Sequence, residues 1–223
     1  MANDYMELRN KVNACAKEAA KAGWVSGSSG NISLRVPGAE DLYVITPSGV
    51  SYDRLSPEQV VVCDESSNKI IDVETLPSFE FPLHLAVYKA RPDVMAVIHT
   101  HAVFSTVLSV LRTGIPPIVE EMVPYLGGAV EVADYAQSGT DRLAKNVVKA
   151  LSHKAAVLIA NHGNVGVGRN LEKAFTVIEQ LERVARIYLE CLKTTPHAPG
   201  GAHTIPPEVI ENEKAMYEKL KES

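Results

Sequence analysis

A chain of 223 residues with 46% hydrophobic content is long enough for one α/β domain with a substantial core. Its formal net charge of −5, without any Lys/Arg cluster, speaks against a nucleic-acid or anionic-membrane surface, so an anionic substrate has to be met locally. Cys15, Cys63 and Cys191 are too few and too far apart for a disulfide framework, and no run of about 18 apolar residues or signal-like N-terminus is present, which makes a cytoplasmic protein the expectation.

In chain order, Asp4–Ala22 reads as a helix with Leu8, Val12, Cys15, Ala16 and Ala19 on one face and Gly23 as its stop. In SGSSGNISLRV, Gly27 and Gly30 permit turns, and Ile32, Leu34 and Val36 then alternate with Ser33 and Arg35 as a half-buried strand does. LYVITPSG is a second strand ending in a turn, SPEQ a short helical turn capped by Ser56, and VVVCD a third strand. Ser78 is placed to cap a helix reaching about Ala90; ARPD ends it before a strand over Met95–His101. Ala102–Leu111 is helical, and Pro116–Pro117 end any regular structure. Thr140 caps a helix through about Leu151, AAVLIA is a buried strand, NHGNVGVG a Gly-rich turn, and Leu171–Lys193 a long amphipathic helix that closes the core. Residues 1–195 are read as one catalytic domain and 196–223 as a mobile Pro/Gly-rich tail with a short helix after Pro207.

The first chemistry-bearing motif is AVIHTHAVF. On a strand, residues i and i+2 share a face, so His99 and His101 converge as the start of a metal site. His162 stands just past a buried strand and before Gly163, where the backbone can turn its ring back over the sheet. Glu80 lies between Phe79 and Phe81, an unusual place for a carboxylate unless something cationic needs it. Three histidines with a nearby Glu leave room for substrate on Zn²⁺ or a similar ion. Taken singly, each His also fits a structural role, and separation along the chain says nothing about proximity. His84 reads as a packing residue rather than a partner of Glu80; His153, His197 and His203 read as solvated.

A second constellation is three small-residue turns: SSGN at 28–31, TPSG at 46–49, and Pro77–Ser78 at a helix start. Free main-chain N–H groups and small hydroxyls bind phosphate without a lysine. Neither a Walker pattern nor G-x-G-x-x-G is present, so nucleotide binding has little support.

SGNIS, ITPSG, LPSFEFPLHLAVYKARPD, AVIHTHA and NHG, in this order and at these intervals, resemble the class II aldolase family, which includes fuculose-phosphate aldolases and ribulose-phosphate 4-epimerases. The resemblance implies a three-layer α/β domain with a mainly antiparallel central sheet and helices on both faces. It also implies zinc, or Mn²⁺ or Co²⁺ in its place, on His99, His101 and His162, and Glu80 as the acid/base that can approach the metal when substrate is absent. Phosphate contacts fall on Gly30, Asn31, Ser48, Gly49, Ser78 and the Phe79 backbone. A homotetramer with sites at subunit interfaces is implied as well. Two positions depart from the pattern. Phe79 replaces a phosphate-binding hydroxyl, and the region expected to supply an inter-subunit proton donor offers Glu120, Glu121 and Tyr125.

The implied reaction is cleavage of a ketose 1-phosphate to dihydroxyacetone phosphate and an aldehyde through a metal-stabilised enediolate, with Glu80 raised by its apolar neighbours into the working range of an acid/base. A 4-epimerase, a 3-oxo-tetronate 4-phosphate decarboxylase or a dehydratase would use the same histidines. A non-catalytic adducin-like interaction domain would have lost them.

Overall fold

The computed structural model describes residues 5–39, 41–71, 73–194 and 202–222. Seven strands form one sheet: β1 Asn31–Arg35, β2 Leu42–Ile45, β3 Val61–Asp64, β4 Ala96–Thr100, β5 Val132–Ala133, β6 Ala156–Ile159 and β7 Gly163–Gly168. Their spatial order is β3-β2-β1-β4-β7-β6-β5, and every pairing is antiparallel except β5 with β6. The helices are α1 Met6–Lys21, α2 Phe81–Ala90, α3 Val103–Leu111, α4 Met122–Leu126, α5 Asp141–Leu151, α6 Leu171–Thr194 and α7 Pro207–Glu222.

Strand alternation sorts the core into two faces. Ile32, Leu34, Ala96 and Ile98 pack with Val12, Ala16 and Ala19 of α1 and with Ala174 and Ile178 of α6. Tyr43, Val97, Val157 and Val165 point the other way, onto Leu83 and Val87 of α2 and Leu143 and Val147 of α5. The expected mainly antiparallel sheet with helices on both faces is therefore what the chain forms.

The segment after His162 is a central strand and not the expected Gly-rich turn. A Cβ on Gly166 would come within 2.7 Å of Ile178 Cδ1, and one on Gly168 within 2.5 Å of the Ala174 nitrogen. These glycines let α6 lie directly on β7, a packing reason that imitates a turn signal. Helix α2 begins at Phe81 instead of just after Ser78; the Ser78 hydroxyl accepts a hydrogen bond from the Glu80 N–H at 3.3 Å and holds a turn ahead of the helix. The C-terminal helix is 16 residues long, not short, and it docks: Tyr217 is buried with Met122 and Leu126, and its hydroxyl donates to the His153 carbonyl at 2.8 Å. The Pro/Gly-rich link before it lies at 195–201, outside the described residues.

Candidate metal centre and active site

Strand register assembles the site. β1 and β4 pair Asn31 with His99, and β4 and β7 pair Thr100 with Asn164, which puts His99, His101 and His162 at one end of the sheet's centre. The two rings of the H-x-H motif converge as strand parity requires, although β4 ends at Thr100 and His101 stands one residue beyond it.

His99 is fully buried, and its Nδ1 lies 2.7 Å from the Asn164 carbonyl. A carbonyl only accepts, so Nδ1 carries the proton and Nε2 presents its lone pair to the site. The His101 Nε2 is 3.2 Å from that atom, and ligand atoms of all three histidines lie within 4.8 Å of one another. Burial, reinforced by the neighbouring imidazoles, pushes His101 down to about 4 and lowers His162, which keeps both rings neutral and able to donate near neutral pH.

Glu80 completes the set. Its Oε2 stands 3.3 Å from His99 Nε2 and its Oε1 3.5 Å from His162 Nε2. Ligands held tetrahedrally at the usual bond lengths stand about 3.3–3.5 Å apart. Three imidazole nitrogens and a carboxylate at these separations fit a divalent ion of the zinc type.

Two glycines make the convergence possible. Gly30 has φ +77°, and a Cβ there would sit 2.6 Å from the His99 carbonyl oxygen. A Cβ on Gly163 would run into the Thr100 carbonyl and come 2.8 Å from His101 Cδ2. Asn161 turns the chain into His162 at φ 54°, a conformation Asn tolerates better than most residues, and its Oδ1 accepts from Arg112 Nη2 at 3.1 Å.

The environment of Glu80 differs from the expected apolar pocket. Phe79 is 67% exposed, whereas the Glu80 carboxylate meets donors: Asn31 Nδ2 at 2.9 Å on Oε2 and the Ser138 hydroxyl at 2.5 Å on Oε1. Burial pushes the carboxyl upward, but His99 and His162, which favour the charged carboxylate whenever either ring is protonated, and the Ser138 hydroxyl outweigh it, holding Glu80 well below the usual carboxylate range. The group is therefore an ionised carboxylate, not the raised acid expected from Phe79 and Phe81.

His84 likewise departs from the packing role expected of it. It is fully buried, with Nε2 2.5 Å from Asn31 Oδ1 and Nδ1 2.6 Å from the Ser33 hydroxyl, which is itself 2.7 Å from the Tyr88 hydroxyl. Burial, with the nearby His99, drives His84 down to about 3, so the ring is neutral. The His153 and His203 side chains are exposed as expected; His197 lies outside the described residues.

The small-residue turns meet at the same end. Pro47 and Pro77 form a bridge, Ser48 N–H donates to Leu76 O at 2.9 Å, and Ser78 N–H donates to Thr46 O at 3.2 Å. The SGN turn is tied to them through Tyr52, whose hydroxyl donates to Gly30 O at 2.8 Å and lies 3.1 Å from Thr46 Oγ1. Ser48 and Gly49 are exposed, and Ser78 is buried. Glu120, Glu121 and Tyr125 do not join the site within one chain: Glu121 pairs with Arg183 at 3.7 Å, and Tyr125 lines a cavity with Val94 and Gly168 at the opposite end of β4 and β7. Sequence reading missed Ser138 and Asn164; Ser138 lies in a loop before α5 and Asn164 on buried β7, and only tertiary structure ties them to Glu80 and His99.

Three imidazoles facing a carboxylate make the donor set of an enzyme that uses a divalent ion as a Lewis acid. Over residues 10–189 the chain matches the family described as Class II Aldolase and Adducin N-terminal domain, and it belongs to that family. It is 35% identical over 191 residues to the L-fuculose phosphate aldolase of Escherichia coli (strain K12), covering 86% of each chain. It is 33% identical over 220 residues to a 5-methylthioribulose-1-phosphate/5-deoxyribulose-1-phosphate aldolase of Escherichia coli O45:K1, covering 98% of this chain and 97% of that one. A solved structure of L-fuculose 1-phosphate aldolase superposes with a TM-score of 0.87 at 34% identity, covering 99% and 98% of the two chains. The protein is thus a class II aldolase, a carbon–carbon lyase, in both sequence and fold.

Proposed function

We propose that the protein is a cytoplasmic, Zn²⁺-dependent aldolase that reversibly cleaves a ketose 1-phosphate, L-fuculose 1-phosphate or a relative of it, to dihydroxyacetone phosphate and an aldehyde. The observation that carries this reading is the convergence of His99, His101 and His162 on the Glu80 carboxylate. Those three histidines would hold the metal, with Mn²⁺ or Co²⁺ as substitutes and Glu80 as a fourth ligand before substrate arrives. When bound, the ion supplies Lewis-acid polarisation of a carbonyl oxygen and stabilises the negative charge that bond cleavage leaves.

The chain's own residues supply the rest. Glu80, held ionised by its donors, takes and returns the proton at C3 of the dihydroxyacetone-phosphate fragment. Phosphate is met by the main-chain N–H groups of Gly30, Gly49 and Phe79 and by the Ser48 and Ser78 hydroxyls, on turns that are bridged to one another. Asn31 contributes only its remaining amide hydrogen, because the rest of its carboxamide is engaged by Glu80 and His84. Residues 1–195 form the catalytic unit, with α7 as a buttress on α4.

Self-association into a homotetramer with interfacial sites is part of the proposal. Its support is an exposed apolar stripe on α3, Val103, Val107, Val110 and Leu111, which lines a cavity together with His101. A neighbouring copy would cover that stripe and supply the proton donor from Glu120, Glu121 or Tyr125.

Coupled detection of dihydroxyacetone phosphate from a panel of ketose 1-phosphates, with chelator and with Zn²⁺ restored, tests the reading. Chelator-sensitive release is expected. No release by protein carrying stoichiometric metal would overturn it in favour of the epimerase or decarboxylase outcome.

A further inference from the structure

One line of hydrogen bonds runs from Glu80 through Asn31 to buried residues that the chemistry above does not use, His84, Ser33 and Tyr88. The line has a direction. Asn31 Nδ2 donates to Glu80 Oε2 at 2.9 Å, and its Oδ1 therefore faces His84 Nε2 at 2.5 Å. An amide oxygen only accepts, so His84 carries its proton on Nε2. A neutral ring then accepts at Nδ1, so the Ser33 hydroxyl donates to it and in turn accepts from Tyr88. Were His84 the other tautomer, with its proton on Nδ1, Nε2 would call for a donor, the Asn31 carboxamide would reverse, and its oxygen would face the Glu80 carboxylate.

We propose that His84 is a positioning residue, which by holding the Nε2–H tautomer orients the Asn31 carboxamide and through it aims and fixes the Glu80 carboxylate. This deepens the aldolase reading and rests on it, since Glu80 matters as the group that moves the substrate proton. His84 makes no hydrogen bond to the histidines or to Glu80; its one link to the substrate turns is the Asn31 carboxamide. It sits on α2 one helical turn after Glu80, so one helix carries both the carboxylate and the ring that orients it across β1. Ser33 and Asn31, two apart on β1, face α2 together, which closes the line.

The test uses the full-length, Zn²⁺-loaded protein. His84→Leu removes both ring hydrogen bonds, whereas His84→Gln keeps a donor at about the position of Nε2. Because a displacement of about 1 Å in a catalytic group can cost about 100-fold, His84→Leu is expected to lower kcat by about 30–100-fold with KM within about twofold, and His84→Gln to recover to within about threefold of the parent. Zinc stoichiometry should be unchanged in both. In an Asn31→Ala background, His84→Leu should cost little more, because the path to Glu80 is already cut.

An independent arm reads the tautomer directly. With ¹⁵N-histidine labelling, the signal that His84→Gln removes should show a protonated Nε2 and a bare Nδ1. An Nδ1–H tautomer would overturn the proposal, as would parental kcat in His84→Leu, equal losses in the Leu and Gln variants at full zinc, or additive losses with Asn31→Ala. If the parent protein cleaves none of the ketose phosphates, the aldolase reading fails instead, and the tautomer still decides the orientation of Asn31.

Discussion

The division of labour among the site residues gives separable consequences for single substitutions. Glu80→Gln keeps the shape of the side chain and removes the charge and the proton-accepting oxygen, so turnover should fall by about 100–10,000-fold, the usual range for a general acid/base. Three histidines remain, so zinc measured by atomic emission should stay stoichiometric; full activity in the Gln variant would refute the assignment. Gly163→Ala makes the opposite separation. Its methyl would press on the Thr100 carbonyl and the His101 ring, so we expect a stability loss of about 1–3 kcal/mol, typical of overpacking, together with weaker zinc retention on dialysis. At this scale the sequence is most readable where covalent spacing dictates geometry. The H-x-H pair on a strand needs no tertiary information, and Glu80 stands out because a carboxylate between two phenylalanines lacks a structural reason. Asn31 and Ser138 were not readable as the partners of Glu80, because they lie 49 and 58 residues away along the chain and only tertiary packing brings them to it.

At the scale of elements, the cap that matters most to the site comes from outside its own helix. Phe104 N–H and Ser105 N–H at the start of α3 donate to the two carboxylate oxygens of Glu182 on α6, at 2.8 and 2.9 Å. No local Ser, Thr or Asp does this work, so no capping signal appears in the sequence around His101. Glu182→Ala should cost about 1–2 kcal/mol in urea denaturation, in line with loss of a cap at a helix N-terminus. Parental stability would show that water replaces the carboxylate there. A second tie, between α7 and the body, depends on pH. Asp93 is held down to about 2, chiefly by its hydrogen bond to Arg91, with Lys221 of α7 3.4 Å away. The folded value lies below the unfolded one of about 3.9. Its stabilisation is therefore complete above pH about 4 and is lost as pH falls toward 2; Asp93→Asn should flatten acid unfolding in that window, by no more than about 1 kcal/mol because the pair is partly solvated. The missed elements have physical reasons too. α4 and β5 are only five and two residues long, too short for periodicity to register, and β7 hides its strand character in the glycines that α6 needs for close approach.

For the whole molecule, alternation and segment order were enough to expect helices over a sheet, but the strand order β3-β2-β1-β4-β7-β6-β5 depends on which edges pair, and that is a non-local choice the chain does not announce. The same non-locality applies between copies. Val103, Val107, Val110 and Leu111 recur at helical spacing, are 61%, 41%, 53% and 56% exposed, and begin two residues after His101. A monomer that left this stripe in water beside its metal centre would carry an unrewarded aggregation hazard, whereas an assembly would bury it and wall the site. Val110→Lys tests this without disturbing the fold, because substitutions on an exposed face change folding stability by about 0.5 kcal/mol or less. Light scattering after size exclusion should then show the particle mass falling toward the 24.2 kDa of one chain, while zinc stays bound to His99, His101 and His162. Cleavage activity should fall together with the mass if the proposed proton donor, from Glu120, Glu121 or Tyr125, comes from a neighbouring copy, since Glu121 and Tyr125 lie away from the site of their own chain. An unchanged mass would remove α3 from the interface. A monomer with parental activity would instead show that one chain carries the whole reaction and that the donor must be sought among its own residues.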